Sequence, residues 1–378
     1  MTNRVPLGQL AKVFLRLGTT AFGGPAAHIA IMDVDIVQRR RWLTREEFLD
    51  YLGAVNLIPG PNSTELAIHI GFARAGWPGL LVAGSCFILP AAVIVGLIAW
   101  AYVQYGTLPT VLGVLDGVKP VVIAIVAQAL WQLGRTAIKS TWLAVVSVLA
   151  IAAVAGGVHE LLVLLTAGFV CALPTLGARG TAATALVATL TSTPHAMTLA
   201  AAATTVPFSL TTLFVVFAKI GAVLFGSGYV LLAFLRADFV DRLGWLTESQ
   251  LLDSVAVGQI TPGPVFTTAT FVGYVLGGAP GAVVATLAIF LPAFLFVALS
   301  GPLVPRVRRS RFAGAVLDGV TVASLALMAV VTWQLARATL IGPLPIIVCA
   351  VSFVALVQYR INATWLIAAA AVVGWVSA

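Results

Sequence analysis

Long apolar stretches dominate this chain, and its polar residues gather in short loops between them. The stretches are long enough to span roughly 30 Å of hydrocarbon. They predict membrane helices at about 9–32, 79–103, 118–134, 142–157 and 160–176 in the first half, and at about 208–235, 281–300, 315–335, 343–358 and 362–377 in the second. Two stretches, 48–76 and 251–278, read differently, because Pro59-Gly60-Pro61 and Pro262-Gly263-Pro264 interrupt them. Proline removes a backbone donor and clashes with the preceding turn, so each triplet ends one helix and starts another. In the first stretch the arms are about 11 and 15 residues long, too short at ~1.5 Å per residue to cross a bilayer alone. The economical arrangement is a re-entrant helical hairpin, which requires a tip buried in protein or lining a wet cavity.

The pattern is written twice. Phe14, Gly18, Phe22, Gly23, Trp42, Leu43, Thr44, Asp50 and the first Pro-Gly-Pro recur 203 positions later as Phe217, Gly221, Phe225, Gly226, Trp245, Leu246, Thr247, Asp253 and the second triplet. After one deleted residue the register continues at 202, carrying Gly71, Gly76, Pro90, Asp116-Gly117, Trp131 and Arg135 onto Gly273, Gly278, Pro292, Asp318-Gly319, Trp333 and Arg337. Structural repeats of this kind mark secondary transporters. The expected division is a first repeat over 1–180, a linker over 181–206 lying in or near the membrane, and a second repeat over 207–378.

Charge orients the two copies. The loop from Gln38 to Arg45 is strongly basic, whereas its counterpart from Arg236 to Glu248 has two arginines and three acids. Later the bias reverses: residues 104–117 hold no Lys or Arg, and Arg306, Arg308, Arg309 and Arg311 crowd the second copy. Lys and Arg favour the cytoplasmic side, so the copies are expected to be inverted. The predicted fold is an all-α polytopic membrane protein, with two inverted repeats of about five transmembrane helices and one re-entrant Pro-Gly-Pro hairpin each.

Composition agrees: 60% of residues are hydrophobic and 9% charged, against about a quarter charged in soluble domains. No removable signal peptide is expected ahead of the first apolar stretch. The net charge of +8 sits in loops, as topology signals do, and does not point to nucleic acid. Cys86, Cys171 and Cys349 are far apart and read as small core residues, with no metal or cofactor implied. The absence of a phosphate loop, a nucleophile elbow or paired Cys/His spacing argues against an enzyme and against direct ATP drive.

Chemistry concentrates at the helix interruptions: Gly23, Gly24 and Pro25 with Gly226, Ser227 and Gly228, and the tips Pro59, Gly60, Pro61 and Pro262, Gly263, Pro264. Helix arms that start at such breaks offer unpaired N–H groups and a positive dipole end, which suits a small oxyanion. The alternative use of these glycines is close helix packing. Asn56, Asn62 and Gln259 flank the tips, and His28 follows the first break. Glu65 is the acid nearest a tip, and an intramembrane carboxylate is a functional candidate by default. It is expected to carry a coupling proton, with His69 one helical turn away as partner or relay; the alternative is a local Glu–His pair near an interface. His159 and His195 read as surface or interfacial residues. Asp116-Gly117 and Asp318-Gly319 look like helix starts, Trp42-Leu43-Thr44 and Trp245-Leu246-Thr247 like an interfacial Trp before an N-cap, and Arg135 and Arg337 like snorkelling residues.

Phe22-Gly23-Gly24-Pro25-Ala26-Ala27-His28-Ile29-Ala30, Pro59-Gly60-Pro61-Asn62 and Phe87-Ile88-Leu89-Pro90 together resemble the chromate ion transporter family, and the second copy resembles that family's C-terminal half. The resemblance runs from about residue 10 to the end and implies a long-chain, two-domain member. It implies proton-driven export of chromate, a sulfate-like dianion, across the cytoplasmic membrane of a prokaryote. Asn56 stands where the family usually has Gln, whereas Gln259 keeps that pattern in the second copy. The partners expected are a small oxyanion, protons, the bilayer and a second chain in a homodimer. An uncoupled anion channel, or transport of sulfate or another oxyanion, is the competing expectation.

Overall fold

The computed structural model describes residues 4–22, 24–176, 207–225, 228–300 and 310–377; the expected linker, 181–206, lies outside them. Among the described residues the regular elements are all helical. The first half comprises α1 (Leu7–Thr20), α2 (Gly24–Met32, continuing as a π-helix over Asp33–Arg39), α3 (Arg45–Val55), α4 (Asn62–Tyr105), α5 (Pro109–Ala137), α6 (Thr141–Ala155) and α7 (Glu160–Ala172). The second repeats the order with α8 (Leu210–Val223), α9 (Leu231–Leu235, continuing as a π-helix over Arg236–Arg242), α10 (Glu248–Ile260), α11 (Thr268–Ser300), α12 (Arg311–Thr339), α13 (Pro343–Val357) and α14 (Ala363–Ser377).

Local chemistry sets many of these boundaries. Thr44 and Thr247 make the expected N-caps, accepting from the N3 backbone, and Glu47 and Gln250 reach back, so both copies of the Trp-Leu-Thr motif also close a capping box. Ser140, Ser209 and Ser310 cap α6, α8 and α12 in the same way.

α4 and α11 are not straight rods. At Ala75-Gly76 and Gly277-Gly278 the backbone leaves the helical region, with Gly76 at φ 64° and Gly278 at φ 61°. A Cβ on Gly71 would strike the Gly79 carbonyl, and one on Gly84 would meet Ile68. A straight helix would hold those pairs on the order of 12 and 24 Å apart. The chain therefore folds back, so that 62–74 lies against the long arm 77–105. The second copy does the same, with the Thr270 and Thr286 hydroxyls 2.7 Å apart. Each Pro-Gly-Pro tip thus joins two short arms, 11 residues in α3 and 62–74 on the other side.

The expected span 9–32 is divided by the break after Thr20. Among the described residues four helical stretches are long and apolar enough to cross a membrane: Asn62–Tyr105 (within it the arm 77–105), Pro109–Ala137, Val265–Leu299 and Phe312–Thr339. α6, α7, α8, α13 and α14 are apolar but only 13 to 15 residues long, and α1, with 14 residues, carries Lys12 and Arg16. These lengths are on the order of 20 Å, less than a full hydrocarbon core.

The two halves interlock. α5 packs against α13 and α14 of the second half, while α12 packs against α6 and α7 of the first. The crossings are made by glycine: a Cβ on Gly117 would meet the Ala370 carbonyl and Gly374, and one on Gly319 would meet the Ala167 carbonyl. Asp116-Gly117 and Asp318-Gly319 therefore lie inside α5 and α12, not at helix starts; their glycines admit a neighbouring backbone. On the outer faces, Leu81, Leu89, Val93 and Leu97 form an exposed apolar stripe, matched by Val283, Leu291, Leu295 and Leu299. Such a surface suits lipid and not water.

Candidate functional site

The four helix interruptions meet. Gly60 of the first tip donates its N–H to the carbonyl of Leu224, the residue that ends α8, at 2.8 Å. Gly263 of the second tip donates to the carbonyl of Ala21, which ends α1, at 3.0 Å. Each tip is thus tied to the broken helix of the other half. Both glycines have positive φ, 138° and 86°. A Cβ on Gly24, which opens α2, would lie 3.9 Å from the Tyr229 hydroxyl, and one on Gly228 would touch Val265 and Phe266 behind the second tip. Gly23, Gly226 and Ser227 lie outside the described residues. Pro59 is half-buried, and Pro61, Pro262 and Pro264 are buried; Pro25 sits half-buried in the first turn of α2.

His28 is 1% exposed and belongs to this junction. Its Nε2 lies 3.1 Å from the Ala21 carbonyl and its Nδ1 3.2 Å from the Ser63 hydroxyl. A carbonyl only accepts, so Nε2 carries the proton. The Ala21 oxygen therefore takes one hydrogen bond from His28 and one from Gly263, linking break and tip across the halves. Asn62 donates its amide to Asn56 at 2.8 Å, closing the neck of the first tip, with Asn56 exposed.

Glu65 is fully buried, and neither carboxylate oxygen has a hydrogen-bond partner. It faces the first tip, since a Cβ on Gly60 would run into its carboxylate. No hydrogen bond joins it to His69, whose ring stacks on Tyr51 at 5.5 Å instead. No direct Glu65–His69 hydrogen bond of the expected pairing is present, and the imidazole lies against Tyr51 of α3. The Thr64 hydroxyl and the Gln259 amide nitrogen are buried without partners too. Orphaned polar atoms are rare in folded chains and ask for water, an ion or a ligand. The second tip has no such acid: Thr267 and Thr268 bond back to Pro264 and Val265.

Other buried acids carry the scaffold. Asp35 binds Arg16 at 2.7 Å, and its copy Asp238 binds Lys219 at 2.6 Å, so each half pins its first helix to its π-helix. Asp253, 2% exposed, accepts from the Tyr102 hydroxyl at 2.9 Å across the halves. The sequence marked Asp253 only through its recurrence with Asp50; its place among apolar residues was the available signal. His159 caps α7 as an ordinary exposed residue, and His195 lies outside the described residues. Arg135 ends α5 over the Trp131 ring. No group of three or more metal-ligating side chains occurs among the described residues.

The sequence profile of the chromate transporter family matches the chain twice, over residues 8–173 and 211–375. A chromate transport protein of Pseudomonas aeruginosa is 33% identical over 384 residues, covering 97% of this chain and 91% of its own. A chromate transport protein of Cupriavidus metallidurans is 32% identical, with 98% and 93% covered. A probable chromate transport protein of Synechococcus elongatus is 32% identical, with 88% and 86% covered. No solved structure matches.

Proposed function

The chain belongs to the chromate transporter family, and we propose that it exports chromate across the cytoplasmic membrane of a prokaryote as a proton-coupled secondary transporter. The carrying observation is the reciprocal pair of bonds, Gly60 to Leu224 and Gly263 to Ala21, which gathers four helix interruptions around orphaned polar groups. In this reading the repeats are inverted, and the Pro-Gly-Pro arms are re-entrant hairpins whose tips meet near the midplane. The short helices cross where the bilayer thins around them. Helix starts at Gly24 and Asn62 supply partial positive charge, and the tip backbone approaches the anion closely.

Glu65 provides the coupling. An ionised carboxylate and a dianion exclude each other from one low-dielectric cavity, so chromate binds when Glu65 carries its proton. Proton and dianion then load together as a net single negative charge. An inside-negative potential drives that charge outward with about 2.3 kcal/mol per 100 mV, while a gradient that is acid outside opposes it, because the proton leaves with the dianion. His28, bound to Ser63 and Ala21, positions break and tip.

The test is uptake of labelled chromate and labelled sulfate into everted membrane vesicles, with and without an imposed pH gradient. Saturable chromate uptake that responds to the gradient is expected. Uptake indifferent to the gradient would replace coupling with a channel, and preference for sulfate would change the substrate.

A further inference from the structure

The far end of the first hairpin arm carries a second feature that the tip site does not use. A pocket of about 900 Å³ is lined by Arg4, Arg40, Arg41 and Arg74, with Glu47 as its one acid. Glu47 is already committed, to the Thr44 N–H as a capping box and to Arg74 at 3.1 Å. Arg40 leans on Asp35 and on the Trp42 ring. Arg4 and Arg41 make no ion pair among the described residues. Arg74 is only 8% exposed, and its Nε is buried with no hydrogen-bond partner.

The second copy shows what this corner requires structurally. There the equivalents of Arg4, Arg40 and Arg74 are Pro207, Leu243 and Leu276, and that of Arg41 is Gly244. Gly244 sits at φ 65°, and Arg41 holds the same left-handed backbone at φ 51°. A fold that accepts glycine here carries an arginine at a conformational cost, and strain of that kind gathers at functional positions. Guanidinium groups match tetrahedral oxyanions through paired N–H donors.

We infer that Arg4, Arg40, Arg41 and Arg74 form a binding pocket for a tetrahedral oxyanion, sulfate-, phosphate- or chromate-like, at the basic face of the first half. The anion is either free in solution or the phosphate of a lipid headgroup. The pocket stands apart from the tip site, and its occupancy is measurable without any gradient.

The experiment is calorimetric titration of sulfate into full-length protein in nanodiscs of zwitterionic lipid at low ionic strength, comparing the parent with R41G and R41K. R41G restores the residue the second copy uses, so its unfolding temperature should equal or exceed the parent's. Its sulfate binding should weaken about tenfold or more, as expected for losing a charged hydrogen bond, with R41K falling between. Added salt should weaken the parent's binding by screening. Repeating the titration with phosphatidylglycerol in the disc separates the sources. Loss of sulfate binding there identifies a lipid phosphate as occupant, and unchanged binding identifies a free anion. Unchanged sulfate affinity in a folded R41G, or no saturable binding in the parent, overturns the proposal.

Discussion

Replacing Gly263 by alanine tests whether the second tip is locked in place. Gly263 sits at φ 86°, where a side chain costs about 1–2 kcal/mol. The new Cβ would lie 2.7 Å from the Ala91 Cβ and 3.0 Å from the Gly18 carbonyl. Neither neighbour can withdraw. Gly18 is itself pressed on the long arm of α4, since a Cβ there would fall 2.6 Å from the Phe87 carbonyl. Overpacking of this kind adds about 1–3 kcal/mol. The sum, about 2–5 kcal/mol, exceeds what the single Gly263–Ala21 hydrogen bond contributes, about 1 kcal/mol. The tip should therefore leave its place. At Gly60 the balance differs: the first obstacle is the Glu65 carboxylate, the end of a flexible side chain, and Ala293 is at an ordinary 3.8 Å. Gly60→Ala should escape the packing clash but still meet backbone strain at φ 138°, about 1–3 kcal/mol, and push Glu65 aside. Thermal unfolding in detergent, membrane abundance and chromate uptake in vesicles measure all three quantities. The expected pattern is a lowered unfolding temperature for G263A, a smaller lowering for G60A, and impaired transport in both. A G263A protein that unfolds and transports like the parent would refute the reasoning.

Glu65→Gln should keep substrate binding while transport loses its response to an imposed pH gradient; uptake that still follows the gradient would assign coupling elsewhere. Tyr102→Phe leaves the buried Asp253 without its hydroxyl donor, and should lower stability by about 1–3 kcal/mol, read from unfolding temperature. Asp238→Asn removes the charge that holds Lys219; a similar loss is expected, and an unchanged unfolding temperature would show that the pair is not structural. Cysteines placed at Gln38 and Asp241 should react with impermeant reagents from opposite membrane faces, whereas labelling from one face would exclude inversion.

What could be read from the sequence was local. Pro59-Gly60-Pro61 breaks a helix wherever it stands, and Thr44 with Glu47 closes a capping box through neighbours three residues apart. What could not be read was tertiary. Asp116-Gly117 has the composition of a helix start, yet Gly117 is small because α14 crosses it. The break at Ala75-Gly76 was legible as the boundary between the stretch 48–76 and the span 79–103, but the backbone contact of Gly71 with Gly79 across it was not. Glu65 and His69 share a helix face by spacing, but the imidazole lies against Tyr51 of α3. The strain at Arg41 shows only when its backbone angle is compared with that of Gly244.

The interlocking of the halves bears on how such a site can open. In a transporter whose repeats pack as separate bodies, one repeat rocks against the other around a fixed site. Here the helix pair α6–α7 grips α12, and α13–α14 grips α5, with backbones in contact at Gly117 and Gly319. Rocking one half would break glycine crossings on both sides at once, and close-packed interfaces do not deform continuously. The tips and broken helices are joined differently. Two single hydrogen bonds, Gly60 to Leu224 and Gly263 to Ala21, tie them across the halves, each worth about 1 kcal/mol, and Gly263 also packs on Ala91 and Gly18. On the proposed function, movement of one tip away from the opposite helix end would open the site to one face while the crossed helices stay still. Because Glu65 stands beside one tip only, its protonation would bias that tip and leave the other unchanged.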